Sequence, residues 1–288
     1  MKIYISNYLS QSISVIDRRT LELEREILLD ENIYPHHFCI DKDKNLIYVP
    51  SLIDGVLYVL DLSNGNVVES ASIGGSLNQI ILNDNDIFVS NGDTDSIYVL
   101  NRSTLEPVAV IKVGEMPHGF DFSVKDKKLY VPSNDSIACI DVVEKSVEKS
   151  VTVEYKLWHL RLDNLKGDIY VPTLDGKVVI LDKEDLKIKE IMNDFLLPVE
   201  VRFNYSKKKI YITDLGYGCV KIFDYETREQ IDDIGVNGVP QGLAIPEDEE
   251  ILLVSDTDRS CIKVYETCNH SLLKIIKVGK EPTAILCL

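Results

Sequence analysis

Apolar residues along this chain come in short bursts divided by polar, turn-forming clusters, and the bursts return at a fixed distance. The clearest marker is an apolar triplet that closes on a small residue. It occurs as Ile3-Tyr4-Ile5, Ile47-Tyr48-Val49, Ile87-Phe88-Val89, Leu129-Tyr130-Val131, Ile169-Tyr170-Val171, Ile210-Tyr211-Ile212 and Leu252-Leu253-Val254. Their middle residues lie 44, 40, 42, 40, 41 and 42 apart. A fixed period in this range marks solenoids and propellers. One unit serves as the template. Met116–Phe122 predicts an opening strand, Lys128–Val131 a second, Ile137–Asp141 a third and Val147–Val153 a fourth, with polar turns between them. The runs are short, β-branched and aromatic, and none keeps apolar helical spacing over three turns. Seven such units predict an all-β, seven-bladed β-propeller with four antiparallel strands per blade, occupying residues 1–288 as a single domain.

The burst patterns separate the strands by role. Middle strands such as Lys177–Leu181 are almost continuously apolar, as expected of sheets covered on both faces. Several third strands end in Asp (Asp17, Asp61, Asp141, Asp182, Asp224), where a carboxylate can accept hydrogen bonds from backbone N–H groups just ahead and set the turn. The sequence begins on a second strand and finishes on an opening strand, Glu281–Leu288. The N- and C-terminal strands are therefore expected to share one blade and close the ring, with Ile285, Leu286 and Leu288 buried.

Ile3-Tyr4-Ile5-Ser6-Asn7 followed by Ile13-Ser14-Val15-Ile16-Asp17 resembles the YVTN-type repeat, and Ile87-Phe88-Val89-Ser90-Asn91 with Tyr98-Val99-Leu100-Asn101 is similar. Pro172-Thr173 and Thr213-Asp214 depart from it. The resemblance covers the whole chain and implies the propeller fold. The family includes surface-layer and periplasmic proteins, and related seven-bladed propellers include lyases and metal enzymes, so fold does not select a function.

Composition narrows the field. With 47 acidic and 31 basic residues the net charge is −16, which disfavours nucleic acid and anionic membrane as partners. No apolar run is long enough for a membrane span. A repeat strand starting at Lys2 leaves no room for a leader, so a cytoplasmic protein, monomeric, is expected. The six cysteines show no C-x-x-C pair and read as small, reduced hydrophobes. Loops on one predicted face, including Asp54, Asp93, Asp95, Asp135, Asp175, Asp214, Asp256 and Asp258, are mostly acidic and would draw a cation or a basic partner. Asp also simply suits tight turns.

Candidate chemistry gathers at one place in each unit. After the opening Pro or Leu come His36-His37, Asn78-Gln79, His118-Gly119, Trp158-His159, Val199-Glu200, Gln241-Gly242 and Thr283-Ala284. These positions hold four of the five histidines and the only tryptophan. In a propeller they would converge on the channel mouth. His36, His37, Gln79, His118, Trp158, His159, Glu200 and Gln241 are thus the expected ligand-binding set. His118, His159 and Glu200 could hold zinc or a similar metal, or act as acid and base. Trp158 could stack on a ligand or hold a cation. The resemblance equally permits a ring of histidines that only bonds water or carbonyls. Because strand neighbours point oppositely, His36 and His37 are expected to face different ways. Searches for nucleophile elbows, phosphate loops and zinc-protease motifs find nothing, and no cofactor is required. The favoured expectation is a binding platform for a protein, peptide or small ligand. The alternatives are a lyase or hydrolase at the mouth, with catalytic residues unassigned, and a metal or small-ligand carrier.

Overall fold

The computed structural model describes residues 1–288, and it contains strands and no helix. No helix is therefore long and apolar enough to cross a membrane. The strands form seven antiparallel sheets of four. In six sheets the strands follow chain order. The seventh joins Pro282–Cys287 to Lys2–Asn7, Ser12–Asp17 and Glu22–Leu28. There Ile3 pairs with Cys287, Tyr4 with Leu286 and Ile5 with Ile285, and Lys2 and Leu288 exchange backbone hydrogen bonds at 2.7 and 2.9 Å. The shared closing blade follows the sequence pattern. Its energetics differ from expectation, because Ile285, Leu286 and Leu288 are only partly buried while Pro282 and Thr283 are covered.

The chain divides into two compact units. One comprises Met1–Ile47, Leu60–Val68 and Val199–Leu288, the other Tyr48–Val59 and Glu69–Pro198. In the first, Ile3, Ile5 and Ile16 pack with Leu253, Ile262 and Val264. A second cluster there joins Tyr211, Val220 and Ile222 to Leu243, Leu252 and Val254. In the second unit, Phe88, Ile97 and Val99 pack with Leu129, Val131 and Ile140, and Ile137 and Cys139 with Ile169, Val171 and Val179. The landmark triplets supply this core from both faces of each sheet, which is why they lack polar alternation. Each such fully buried side chain contributes about 1.5–3 kcal/mol. Fourth strands such as Pro107–Lys112 and Glu22–Leu28 lie largely exposed.

The third-strand aspartates set turns, as read from sequence. Asp17 Oδ1 accepts from the N–H of Arg19 and Thr20 at 2.9 Å each, and Asp141 and Asp224 do the same two and three residues ahead. The six cysteines are free thiols. Cys139, Cys219 and Cys261 are buried, Cys39 and Cys287 partly so, and Cys268 is exposed.

Candidate functional site

The opening strands are not all alike. Leu77–Leu82, Pro198–Asn204, Pro240–Ala244 and Pro282–Cys287 have five to seven residues. Cys39–Asp41, Asp121–Ser123 and Arg161–Asp163 have three. The predicted strand Met116–Phe122 is one of those cut short: regular pairing starts only at Asp121. His36, His37, His118, Trp158 and His159 all fall on the irregular stretch before a short strand, whereas Gln79, Glu200 and Gln241 lie inside regular ones.

One residue per unit accounts for this split. After the landmark triplet the long-strand sheets carry a hydroxyl: Ser6, Ser90, Thr213 and Ser255. That oxygen accepts the backbone N–H of the second residue in the site dipeptide. Ala284, Gln79 and Glu200 donate at 2.9 Å and Gly242 at 2.6 Å. It bridges a bulge, since Leu77 pairs with Asn91 and Ile80 with Val89, leaving one extra residue on the opening strand. The three short-strand sheets have proline at that place: Pro50, Pro132 and Pro172. Proline offers neither hydroxyl nor N–H. The hydroxyls one residue later, Ser51 and Thr173, serve the neighbouring loop instead. His118 N–H and Trp158 N–H reach the proline carbonyls at 3.4 and 3.0 Å.

In the unit containing Glu69–Pro198, three of the predicted residues come together. The His118 and Trp158 rings stack with centroids 4.3 Å apart and planes 22° apart. The His159 ring meets His118 edge-on at 4.9 Å. Gly119 makes room for this, since a Cβ there would sit 2.9 Å from His159 Nδ1. Ser90 fixes the arrangement from the preceding sheet by donating to the His118 carbonyl at 2.9 Å. His118 and Trp158 border a cavity of about 380 Å³ that is also lined by Asn78, Asp93, Asn134 and Leu157. Asn78, beside Gln79 in its dipeptide, lies outside the expected ligand-binding set. It is 8% exposed and lines this cavity. Gln79, its neighbour, has a buried Oε1 with no hydrogen-bond partner.

The other unit holds the remaining residues. His36 and His37 do not diverge as strand neighbours would. Their rings lie 4.6 Å apart, because the segment is not extended strand there. Tyr8 meets His36 edge-on at 6.0 Å and Tyr34 at 5.4 Å. Burial raises the Tyr8 phenol above its ordinary pKa. The His36 carbonyl accepts from Thr283 Oγ1 at 2.9 Å and Ser6 Oγ at 3.3 Å. Glu200 accepts from Arg202 Nη1 at 2.6 Å, forming an ion pair. Gln241 Oε1 is 3.5 Å from the Thr257 hydroxyl. The fifth histidine, His270, lies outside these dipeptides, in the turn before Leu272–Lys277. Its Nδ1 lies 2.6 Å from Asp232 and its Nε2 2.9 Å from Lys209 Nζ.

No family model matches the chain, and no curated protein matches it in sequence. Solved structures do match in shape. A Lactobacillus plantarum protein is 15% identical with a TM-score of 0.84, covering 99% of each chain. A provisionally named 6-phosphogluconolactonase of Bacteroides fragilis is 17% identical with a TM-score of 0.81, over 99% of this chain and 97% of its own. Hydrazine synthase of Kuenenia stuttgartiensis is 14% identical with a TM-score of 0.74, over 89% and 90%. Identities this low speak for fold alone, and with the seven four-stranded sheets they make the chain a seven-bladed β-propeller.

Proposed function

We propose that the chain is a ligand-binding propeller of the YVTN type, and that the cavity beside the His118–Trp158 stack is its working pocket. The observation that carries this reading is the convergence of a stacked imidazole–indole pair with a buried amide, Asn78, on one concavity of about 380 Å³. Small-molecule sites combine apolar and aromatic walls with a few placed polar groups in this way. Both rings lie on short stretches that lead directly into sheet strands, and Ser90 ties the His118 backbone in place. The acidic loops of the same unit, with Asp93, Asp95, Asp135 and Asp175, would favour a basic peptide or a cation as the approaching species.

Soaking crystals of the protein with a library of small polar and aromatic fragments tests the reading. Fragments should gather in this cavity, and Trp158→Ala should empty it while leaving the fold and melting temperature close to wild type. Fragments found only elsewhere would overturn it.

A further inference from the structure

Resting on that pocket reading, we infer that the occupant is an organic cation of the alkylammonium class. Four features of the cavity point the same way. First, no lysine or arginine lines it, so no permanent positive charge there compensates an anion. Second, its one ionisable carboxylate, Asp93, is exposed at the rim, where it can attract a positive charge without first being stripped of water. Third, Trp158 is the indole of the site, and an indole face is the strongest aromatic partner for an ammonium group. Fourth, Asn78 is nine-tenths buried at the cavity wall, with its amide nitrogen toward Gly92. The Gly92 position has space for a Cβ only at 3.4 Å from that nitrogen. A neutral amide at the wall adds no positive charge and brings both acceptor and donor capacity to the cavity.

The apolar residues complete the description. Pro117, Leu157 and Leu174 border the same space and suit methyl or methylene groups, so the ligand has an apolar body as well as a charged head. The net charge of −16 acts in the same sense at long range by raising the local concentration of cations. A phosphorylated or carboxylated ligand would meet repulsion from both sources.

The chain's single tryptophan is the one in the pocket, so its fluorescence reports on this site without labelling. The experiment titrates the intact protein with choline and butyltrimethylammonium. It then repeats the titration with the neutral isostere 3,3-dimethylbutanol and the anionic 3,3-dimethylbutanoate. Free N-acetyltryptophanamide corrects for simple quenching. Both cations should give saturable changes, with the neutral isostere at least about tenfold weaker, equivalent to ~1.4 kcal/mol. Asp93→Asn should weaken the cations about threefold and leave the neutral compound unaffected; the exposed Asp93 carboxylate has no role in the core. Equal binding of the neutral or anionic isostere would overturn the charge assignment and leave the pocket reading standing. Silence from every probe, with the cavity also empty of fragments, would overturn both.

Discussion

The sheet that contains Ser90 and the sheet that contains Pro132 are built from the same repeat and adopt the same four strands, yet their opening strands differ. Ser90 accepts the Gln79 N–H at 2.9 Å and keeps Leu77–Leu82 regular through its bulge. Pro132 cannot do this, and the corresponding strand shrinks to Asp121–Ser123. Four of the five histidines and the tryptophan sit where proline has released the strand: before Cys39–Asp41, Asp121–Ser123 and Arg161–Asp163. A single position beside the landmark triplet therefore selects between a locked strand and a freer segment whose consecutive side chains can cluster. The lesson is that this fold makes room for chemistry by withholding one hydrogen bond, with no inserted loop.

The comparison can be broken most sharply at the hydroxyls. Ser90 is fully buried and bonded on both sides, so Ser90→Ala should cost about 1–3 kcal/mol in denaturant unfolding. Ser133 is equally buried, but its Oγ has no hydrogen-bond partner, and Ser133→Ala should change stability by no more than about 0.5 kcal/mol. Equal losses would erase the distinction. A smaller effect is expected from Pro132→Ser, which offers the Gly119 N–H the acceptor that Gln79 has. The hydrogen bond gains about 0.5–1.5 kcal/mol, offset by the loss of proline's restriction of the unfolded chain. Amide exchange at Gly119 should slow severalfold, and the Trp158 emission should shift as the His118 segment straightens. An unchanged exchange rate would show that proline is not what frees it.

The smallest effect serves as a control common to both kinds of sheet. Lys128 and the turn N–H groups of Glu144 and Val143 hold the Asp141 carboxyl down at about 2, from 3.8. In a long-strand sheet, the Thr227 and Glu226 N–H groups similarly lower Asp224. Since the folded pKa lies below the unfolded one, this stabilisation is complete above about pH 4 and is lost as pH falls through the folded value. Asp141→Asn and Asp224→Asn should each flatten the acid limb of the stability curve slightly, Asp141→Asn the more because Lys128 adds to its turn N–H groups. An acid limb unchanged by either substitution would show that these turns do not contribute to the pH dependence.

The fold was legible because its signal is repeated and redundant. Each apolar triplet marks a buried middle strand, and the offset between first and last strands announces the shared blade. The site was half legible. The dipeptide positions were found by counting from the opening Pro or Leu, and His118, Trp158 and His159 do meet. Treating every opening strand as equivalent hid the rest. It predicted that His36 and His37 diverge, and it passed over Asn78. The missing signal was in plain sight as Val49-Pro50-Ser51, Val131-Pro132-Ser133 and Val171-Pro172-Thr173. Thr213-Asp214, by contrast, read as a departure from the repeat, yet Thr213 performs the same service as Ser90. What no local pattern carries is the burial of the terminal strand: Ile285 and Leu286 look like core residues, but their exposure depends on what lies across the sheet.

The closing blade also sets a timetable. Ser6 and Thr283 touch across 277 residues of sequence, at 2.9 Å. At a synthesis rate of about 5–20 residues per second, the strand Lys2–Asn7 leaves the ribosome roughly 15–55 s before its partner exists. During that interval it presents a bare β-edge, with Ile3 and Ile5 still awaiting cover from Leu253 and Ile262. The strand Lys2–Asn7 is made before the other strands of the seven sheets and is among the last to be completed, so its edge stays open to misassociation for longest.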